Sequence, residues 1–248
     1  MSYSLLSNAK ILEHYNNGAI VIDPFIRENL ANSSYDVTLG QFYYRQAVYG
    51  KKSMRLDRHL QIYNMYDKED VMHMWEGPYE AESVAEFARK WSVEMKNIDP
   101  SDKIILIYPH ETILAHTNEY IGGKVNITTM MKARSSVGRN FIEVCKCAGW
   151  GDIGYINRWT MEITNNNNNF AIPLVVNRRI AQIIFFESDA TLPNEDYIGQ
   201  SDSKYSKSSE LNVLKSRWEP NAMLPKMWLD REVKKLQLQL ECADHTGE

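Results

Sequence analysis

Hydrophobic residues recur along the chain with two spacings, one typical of helices and the other of strands. Near the start, Ile11, Leu12 and Tyr15 lie at helical intervals between Ser7, a candidate N-cap, and Gly18, a candidate stop. This pattern predicts a short amphipathic helix that begins after Ser7 and ends before Gly18.

Short runs rich in β-branched and aromatic residues predict strands along most of the remaining chain. Two runs, at 19–24 and 35–44, follow the helix. From 103 to 188 seven more recur: KIILIYP, ETILAHT, KVNITTMM, NFIEVCKC, INRWTMEIT, AIPLVV and RRIAQIIFFE. The asparagine run at 165–169 is interpreted as a loop, because Asn tolerates left-handed backbone geometry. Since no long helix separates the runs, the pattern favours an antiparallel barrel or sandwich.

Two segments depart from the strand pattern. Between about 50 and 100, charges and methionines increase and five hydrophobic residues have helical spacing, which predicts a helical insertion that acts as a lid or surface helix. These residues are Val84, Phe87, Ala88, Trp91 and Met95. From about 202 to 248 the chain is polar and then charged, which predicts a helical C-terminal extension. Its apolar face would carry Leu229, Val233, Leu236 and Leu240.

With 248 residues, of which 44% are hydrophobic, the chain can form one sizeable core, and we predict a single domain over 1–248. Its formal charge of -4 argues against a nucleic-acid polymer as partner, although a local cluster of Arg and Lys can still hold a phosphate. Three cysteines without framework spacing, no signal-peptide pattern and no apolar run of about 18 residues predict a reduced, cytoplasmic protein with no membrane partner.

Several common catalytic motifs are missing. None of the six histidines begins an H-x-E and there is no P-C-x-x-C, so the zinc-activated water of the zinc deaminases is not expected. The chain also has no P-loop, no dinucleotide fingerprint and no G-x-S-x-G. Cys145 and Cys147 alternate with Val144 and Lys146 in a predicted strand, and we interpret both as small buried side chains.

The segment RSSVGR at 134–139 is a candidate anion site. Its two hydroxyls and its backbone N–H groups can form a nest for a phosphate, flanked by the guanidinium groups of Arg134 and Arg139. Serine-rich basic turns are more often simply solvated, so the segment by itself indicates phosphate binding only weakly.

Glu162 is the strongest single candidate for acid or base chemistry. Trp159, Met161 and Ile163 place this carboxylate within a largely apolar strand. Such a group either pairs with a cation or has surroundings suited to general acid and base catalysis. An outward-facing or salt-bridged strand glutamate is the alternative interpretation.

Four segments in this order resemble the trimeric superfamily of dCTP deaminases and dUTPases. They are SSYDVTLG at 33–40, RSSVGR at 134–139, AGWGDIGY at 148–155 and RRIAQIIFFE at 178–187. The resemblance covers most of the chain. It implies a mainly β protein with the dUTPase fold, a distorted antiparallel β-barrel of jelly-roll-like form, here with an N-terminal helix, the helical insertion and the helical extension.

Within this superfamily, one position separates the two chemistries. Deaminases carry Glu ten residues after the motif Asp, and Glu162 lies ten residues after Asp152. The glycine-rich C-terminal motif of ordinary dUTPases is missing, and Tyr197, Lys204 and Tyr205 resemble the deaminase tail instead. The segment AGW is more similar to bifunctional members. Three positions depart from the usual pattern: Cys147, Gly151 and Ser208.

The resemblance implies hydrolytic deamination of dCTP to dUTP and ammonia without zinc. The alternatives are a dUTPase, a bifunctional enzyme that continues to dUMP, and a non-catalytic nucleotide-binding protein built on the same barrel. The family builds each site between subunits, so a homotrimer is expected.

By the same resemblance, Glu162, Ser135 and Arg139 would be catalytic: Glu162 would transfer protons, Ser135 and the Ala148 carbonyl would place the water and the amine, and Arg139 would stabilise developing charge. Asp152 would accept a hydrogen bond from the sugar 3'-hydroxyl. Tyr155 would lie against the deoxyribose. The triphosphate, which would arrive with Mg²⁺, would be held by Arg134, Ser136, Tyr197 and Lys204.

Overall fold

A curved antiparallel sheet forms the centre of the computed structural model, which describes residues 5–47, 62–189, 191–200 and 203–245. The strands are β1 (Ile20–Asp23), β2 (Tyr35–Gln46), β3 (Trp75–Glu80), β4 (Glu82–Ser83), β5 (Lys103–Ile107), β6 (Thr112–Gly123), β7 (Ile127–Ala133), β8 (Ile142–Val144), β9 (Trp150–Gly151), β10 (Ile156–Asn165), β11 (Ile172–Val175) and β12 (Arg179–Glu187). The helices are α1 (Asn8–Asn16), α2 (Lys68–Met74), α3 (Val84–Trp91), α4 (Ser135–Gly138), α5 (Leu211–Arg217) and α6 (Arg231–His245). Short 3₁₀ turns lie at Arg27–Asn29, Pro220–Met223 and Met227–Leu229.

The main sheet has the order β8-β10-β6-β2-β12-β7-β9, with β1 also pairing with β6 and β3 with β2. A smaller sheet has the order β11-β5-β4. The pairs in both sheets are antiparallel. This architecture confirms the prediction of a mainly β, antiparallel, barrel-like fold.

The core lies on one face of the main sheet, to which alternate residues of the long strands point. Ile163 on β10, Ile121 on β6 and Phe185 on β12 are fully buried there. Trp159 is buried beside them, and its Nε1 donates a hydrogen bond of 2.9 Å to the Ile121 carbonyl. The same alternation leaves the intervening residues of β10 on the opposite face.

The cysteine interpretation was half wrong. β8 ends at Val144, and Cys145, Lys146 and Cys147 follow in left-handed backbone conformations, with φ of 69°, 33° and 71°. Cys145 is buried with its Sγ 3.0 Å from the Met131 Sδ, whereas Cys147 is exposed. Three successive left-handed residues end the strand, so the alternation expected of a C-x-C strand does not arise. The turn instead directs the following residues toward β7.

The predicted helical insertion is only partly helical where it is described; residues 48–61 lie outside the described residues. The helix expected from Val84, Phe87, Ala88 and Trp91 is α3, which has a capping box at Ser83. Between α2 and α3, however, lie β3, which extends the main sheet along β2, and β4. The reason is local: Pro78 cannot continue a helix, and it stands in the middle of β3.

The predicted C-terminal extension packs onto the body before it becomes a long helix. Met223 and Leu224 are buried against Tyr44 and Leu114, and Leu214 is buried against Tyr120. The final helix α6 then carries three exposed leucines: Leu236, Leu238 and Leu240. Residues 246–248 lie outside the described residues. None of the helices that the structure describes has the length and apolar character needed to cross a membrane.

Gly40, on β2 within the SSYDVTLG segment, faces a side chain that cannot move aside. A Cβ at this position would lie 2.0 Å from the Cε1 atom of His116. The His116 ring accepts a hydrogen bond from the Phe42 N–H at 3.3 Å through Nε2 and donates one of 2.8 Å from Nδ1 to the Thr117 carbonyl. Burial lowers the pKa of His116 to about 4, so the ring stays neutral and keeps this pattern.

We therefore expect Gly40→Ala to lower the free energy of unfolding by roughly 1–3 kcal/mol or more, because the added methyl group overpacks the site. Urea denaturation followed by circular dichroism measures this change. Gly138→Ala is the matched control, since nothing lies within 4 Å of its added Cβ, and its effect should stay within about 0.5 kcal/mol. Equal unfolding midpoints for the two variants would contradict the clash.

Candidate active site

Glu162 lies in the middle of β10, directly opposite Leu114 of β6. Its neighbours along the strand, Met161 and Ile163, are fully buried in the core. Because successive side chains of a strand point to opposite faces, the Glu162 carboxyl lies on the other side of the sheet. It is half-buried there, at the wall of a cavity.

Burial raises the pKa of the Glu162 carboxyl above its ordinary value. A hydrogen bond from its own backbone N–H and the charge of Lys146 act in the opposite direction and are weaker. Among the residues that the structure describes, no cation forms an ion pair with this carboxyl. Of the interpretations left open by the sequence, a partly desolvated acid in a cavity is therefore the one observed, and such an acid is suited to exchanging protons.

The cavity beside Glu162, called the glutamate cavity below, has a volume of about 470 Å³. Its lining includes four more of the side chains that the sequence singled out: Ala148, Asp152, Tyr155 and Tyr197. Tyr205, also noted in the sequence, completes this group. The chain thus brings five predicted site residues and Tyr205 to one place, although they come from β10, the loop before it and the C-terminal tail.

The AGWGDIGY segment reaches the cavity through a short strand and a turn. β9 pairs with β7, and the Gly151 carbonyl accepts a hydrogen bond of 2.8 Å from the Thr128 hydroxyl. The chain then turns, with Tyr155 N–H donating to the Asp152 carbonyl at 3.0 Å and Gly154 at φ 91°. This left-handed position favours glycine. The turn leaves the Asp152 side chain exposed at the cavity and sets Tyr155 into its wall.

Tyr155 is the centre of a rigid aromatic corner. Its ring meets Trp159 edge-on at 5.4 Å between centroids and Tyr197 edge-on at 5.0 Å. Burial raises the pKa of the Tyr155 hydroxyl, which keeps it neutral. The Tyr197 hydroxyl in turn accepts a hydrogen bond of 3.0 Å from the backbone N–H of Tyr205. The start of the C-terminal tail is therefore fixed against the cavity wall.

Sequence reasoning missed the walls that the insertion and the extension contribute. Trp75 lies at the junction of α2 and β3, and Trp218, Ala222, Met223 and Pro225 follow α5. The segment WEPNAMLPKMW is conspicuous for its aromatic and proline content, but nothing in it indicates which part of the barrel it contacts.

Arg158 was also missed. Its guanidinium lies between the rings of Tyr120 and Trp218, 5.2 Å and 4.7 Å from their centroids. Its Nε is buried with no hydrogen-bond partner among the described residues. The interaction joins β10 to the extension, and an arginine within INRWTMEIT was the only signal that could have pointed to it.

The RSSVGR segment at 134–139, called the serine turn below, lies away from the glutamate cavity of its own chain. α4 contains Ser135 and Ser136, which are exposed, as is Arg139 after it. The Nε of Arg134 pairs with the Asp36 carboxylate at 3.1 Å. These four predicted residues do not line the glutamate cavity; the turn instead borders a separate cavity of about 770 Å³ through Gly138. Trp150 lines both cavities.

Lys204 also lies outside the glutamate cavity. It forms an ion pair with Asp230 and lines a neighbouring cavity. Its assignment to the triphosphate, like the assignments of the serine-turn residues, stays a prediction. Over the described ranges, no group of three or more His, Cys, Asp or Glu side chains is arranged to hold a metal ion.

Comparison with known proteins gives consistent results over most of the chain. A family model described as dCTP deaminase-like matches residues 5–188. The protein named dCTP deaminase, dUMP-forming, from Methanococcus vannielii is 31% identical over 205 residues, which cover 82% of this chain and 89% of that one. The protein of the same name from Methanococcus aeolicus is 28% identical over 211 residues, which cover 84% and 96%.

The fold has a counterpart among solved structures. The crystal structure of 2'-deoxycytidine 5'-triphosphate deaminase from Agrobacterium tumefaciens matches with a TM-score of 0.50 and 14% sequence identity. The match covers 77% of this chain and 51% of that chain, so this chain spans about half of the solved one. This likeness concerns the fold alone, and it agrees with the barrel expected from the resemblance.

The raised pKa of Glu162 predicts a specific dependence of stability on pH. A carboxyl whose pKa is higher in the folded than in the unfolded chain gives its full stabilisation below the unfolded pKa, and loses it as pH rises through the folded pKa. At neutral pH the ionised, partly buried carboxylate therefore disfavours the fold. Glu162→Gln, which cannot ionise, should therefore have a higher Tm than the wild type at pH 7. The difference should shrink as the pH falls toward the pKa of an ordinary glutamic acid.

Thermal unfolding of both proteins across this pH range tests the expectation. Glu28→Gln is the control. Glu28 is exposed on a 3₁₀ turn, so this variant has the same chemical substitution at a carboxyl that is not buried. A Glu162→Gln variant that is less stable than the wild type at pH 7, or whose gain does not depend on pH, would show that the carboxyl is stabilised in its ionised form.

Proposed function

Because the chain belongs to the dCTP deaminase-like family, we propose that it removes the C4 amino group of dCTP and then hydrolyses the resulting dUTP to dUMP and diphosphate. The sequence favoured deamination to dUTP, with this bifunctional reaction as an alternative. The relatives named dUMP-forming, at 28–31% identity over more than four-fifths of the chain, favour the alternative. The AGW segment at 148–150, which resembles bifunctional members, points the same way.

The observation that carries the proposal is the half-buried Glu162 carboxyl in the wall of the glutamate cavity. Burial raises the pKa of this acid, so it can both accept and return a proton closer to neutral pH than an exposed glutamate can. Deamination requires such a group twice: a water must lose a proton as it attacks the ring, and the departing amine must gain one.

In the first step, water adds to C4 of the cytosine ring while Glu162 takes a proton from it. Glu162 delivers this proton to N3, then takes the proton of the new C4 hydroxyl and passes it to the amine. The C4–N bond breaks, ammonia leaves and the C4 carbonyl forms. The sum is dCTP plus water giving dUTP plus ammonia. The Ala148 carbonyl, which belongs to the loop at this cavity, would orient the water or the amine.

Ser135 and Arg139 are proposed to complete this site from a neighbouring subunit, because the turn that bears them lies away from the glutamate cavity of its own chain. Ser135 would place the water, and Arg139 would stabilise the negative charge that develops during addition. A homotrimer with three sites between subunits, as the family resemblance implies, provides this arrangement.

In the second step, water attacks the α-phosphorus and the bond to the bridging oxygen of the β-phosphate breaks. The products are dUMP and diphosphate. Arg134, Ser136, Tyr197 and Lys204 are proposed to hold the triphosphate. The triphosphate would arrive as its Mg²⁺ complex, so the metal would be part of the substrate.

Two cavity residues would select the sugar. Asp152 is exposed at the cavity and would accept a hydrogen bond from the 3'-hydroxyl. Tyr155 is held between Trp159 and Tyr197 and would lie flat against the deoxyribose. With Tyr155 packed in this position there would be no room for a 2'-hydroxyl, so a ribonucleotide should be a poor substrate.

The purified protein, incubated with dCTP and Mg²⁺, should release ammonia, dUMP and diphosphate in equal amounts, because one site performs both steps. Chromatography of the nucleotides with an ammonia assay measures this. Accumulation of dUTP would show that the protein only deaminates dCTP. If the protein hydrolyses added dUTP but releases no ammonia from dCTP, it is a dUTPase. If it binds both nucleotides without converting either, it is a non-catalytic nucleotide-binding protein.

Glu162→Gln should lower the rate of ammonia release by about 10²–10⁴-fold, since a general acid and base contributes about that factor. In the wild type, this rate should rise with pH through the raised pKa of Glu162, since the base must be ionised. Glu28→Gln should behave as the wild type. Unchanged ammonia release in the Glu162→Gln variant would refute the role proposed for this residue.

A further inference from the structure

A second cavity, called the lysine cavity below, adjoins the glutamate cavity and has a volume of about 280 Å³. The two share four lining residues: Asn157, Tyr205, Trp218 and Ala222. The remaining wall comes from the C-terminal tail. It consists of Lys204, Ser206, Lys207, Ser208, Val213, Leu214, Arg217, Asn221 and Lys226.

Four cationic side chains line this small space, and among the residues that the structure describes only one of them has a carboxylate partner. Lys204 pairs with Asp230. Lys207 donates from Nζ to the carbonyl of Ser203 and, at 3.1 Å, to its hydroxyl. Lys226 donates from Nζ to the Lys204 carbonyl at 3.4 Å. Within the described residues, neither these two lysines nor Arg217 forms an ion pair with a carboxylate.

This concentration of like charges is unfavourable for the protein alone. Burial lowers the pKa of Lys226, and the nearby charge of Lys207 lowers it further. Lys226 is half-buried, whereas Lys207 and Arg217 are exposed. An unpaired charge that is partly removed from water, as that of Lys226 is, is normally found with a partner of opposite sign. An anion with several negative charges would supply that partner. A chain of phosphates carries several charges and is narrow enough for a cavity of this volume.

Tyr205 connects the two cavities. Its hydroxyl accepts a hydrogen bond of 3.2 Å from the Lys226 backbone N–H, and its ring lies 5.4 Å from the Lys226 Nζ. On its other side it lines the glutamate cavity and lies close enough to Glu162 for the two to interact electrostatically. A molecule with an uncharged ring at one end and phosphates at the other matches this sequence of environments.

We propose that the lysine cavity binds the phosphate chain of the nucleotide whose base lies beside Glu162, with Lys226, Arg217 and Lys207 as ligands in addition to Lys204. The position of the base rests on the proposed function, whereas the binding of a phosphate chain does not. Lys226 and Arg217 belong to the C-terminal extension, beyond residues 5–188 that the family model matches. The extension would therefore supply phosphate ligands from outside the segment that the family model matches.

Calorimetric titration of the full-length protein tests this assignment. The Glu162→Gln background slows turnover of dCTP during the titration. The ligands are dCTP, dCMP and inorganic tripolyphosphate. Each hydrogen bond to a charged group contributes about 1.5–3 kcal/mol. Lys226→Met should therefore weaken dCTP and tripolyphosphate binding by about 10- to 100-fold, while dCMP binding should change much less. Arg217→Gln should act in the same direction.

Two further variants separate charge from structure. Lys226→Arg keeps the charge and should retain most of the dCTP affinity. Lys235→Met removes an exposed charge from α6 and should leave all three affinities unchanged. The losses caused by Lys226→Met should also diminish at high salt, because screening weakens the interaction that the variant removes.

The outcomes distinguish this inference from the proposed function. Lys226-dependent binding of tripolyphosphate supports the anion site even if the wild type leaves dCTP unchanged, a result that would refute only the proposed reaction. Unchanged dCTP and tripolyphosphate affinities in Lys226→Met would overturn the inference. Equal losses for dCTP and dCMP would overturn it as well, because Lys226 would then act only by holding Tyr205.

Discussion

The pairing of β10 with β6 is the constraint on which the rest of the structure depends. It places Met161 and Ile163 in the core and, by alternation, turns Glu162 between them to the opposite face. A shift of one residue in this register would bury the carboxylate among the core side chains and expose two large hydrophobic residues. The burial of Met161 and Ile163 therefore holds the acid in the wall of the cavity.

The segments outside the minimal barrel complete the cavity and do not merely cover its surface. Trp75 reaches it from the insertion and Met223 from the extension, where Met223 packs with Leu114, the residue opposite Glu162. Arg158 attaches the extension a second time by lying against Trp218. Partial removal of water from Glu162, and with it the raised pKa, thus depends on side chains from three distant parts of the chain.

The sequence was sufficient for the features that depend on local pattern and failed where distant segments meet. Runs rich in β-branched and aromatic residues identified the strands, and Glu162 stood out because its neighbours in the strand are apolar. The C-x-C segment was misread because alternation was assumed past Val144, where three left-handed residues end the strand. The β3 strand was missed because its only signals were Pro78 and flanking aromatic residues. The contribution of Trp218 could not be predicted, since its contacts depend on how the tail folds back onto the barrel.

The shared wall between the two cavities has a further consequence. Tyr205 and Trp218 each line both cavities, so a substitution at either position changes a side chain in the wall of both. Selectivity for the ring of a bound molecule and affinity for its other end would therefore have to evolve together. Homologues that differ at these two aromatic positions would be expected to differ in both properties at once.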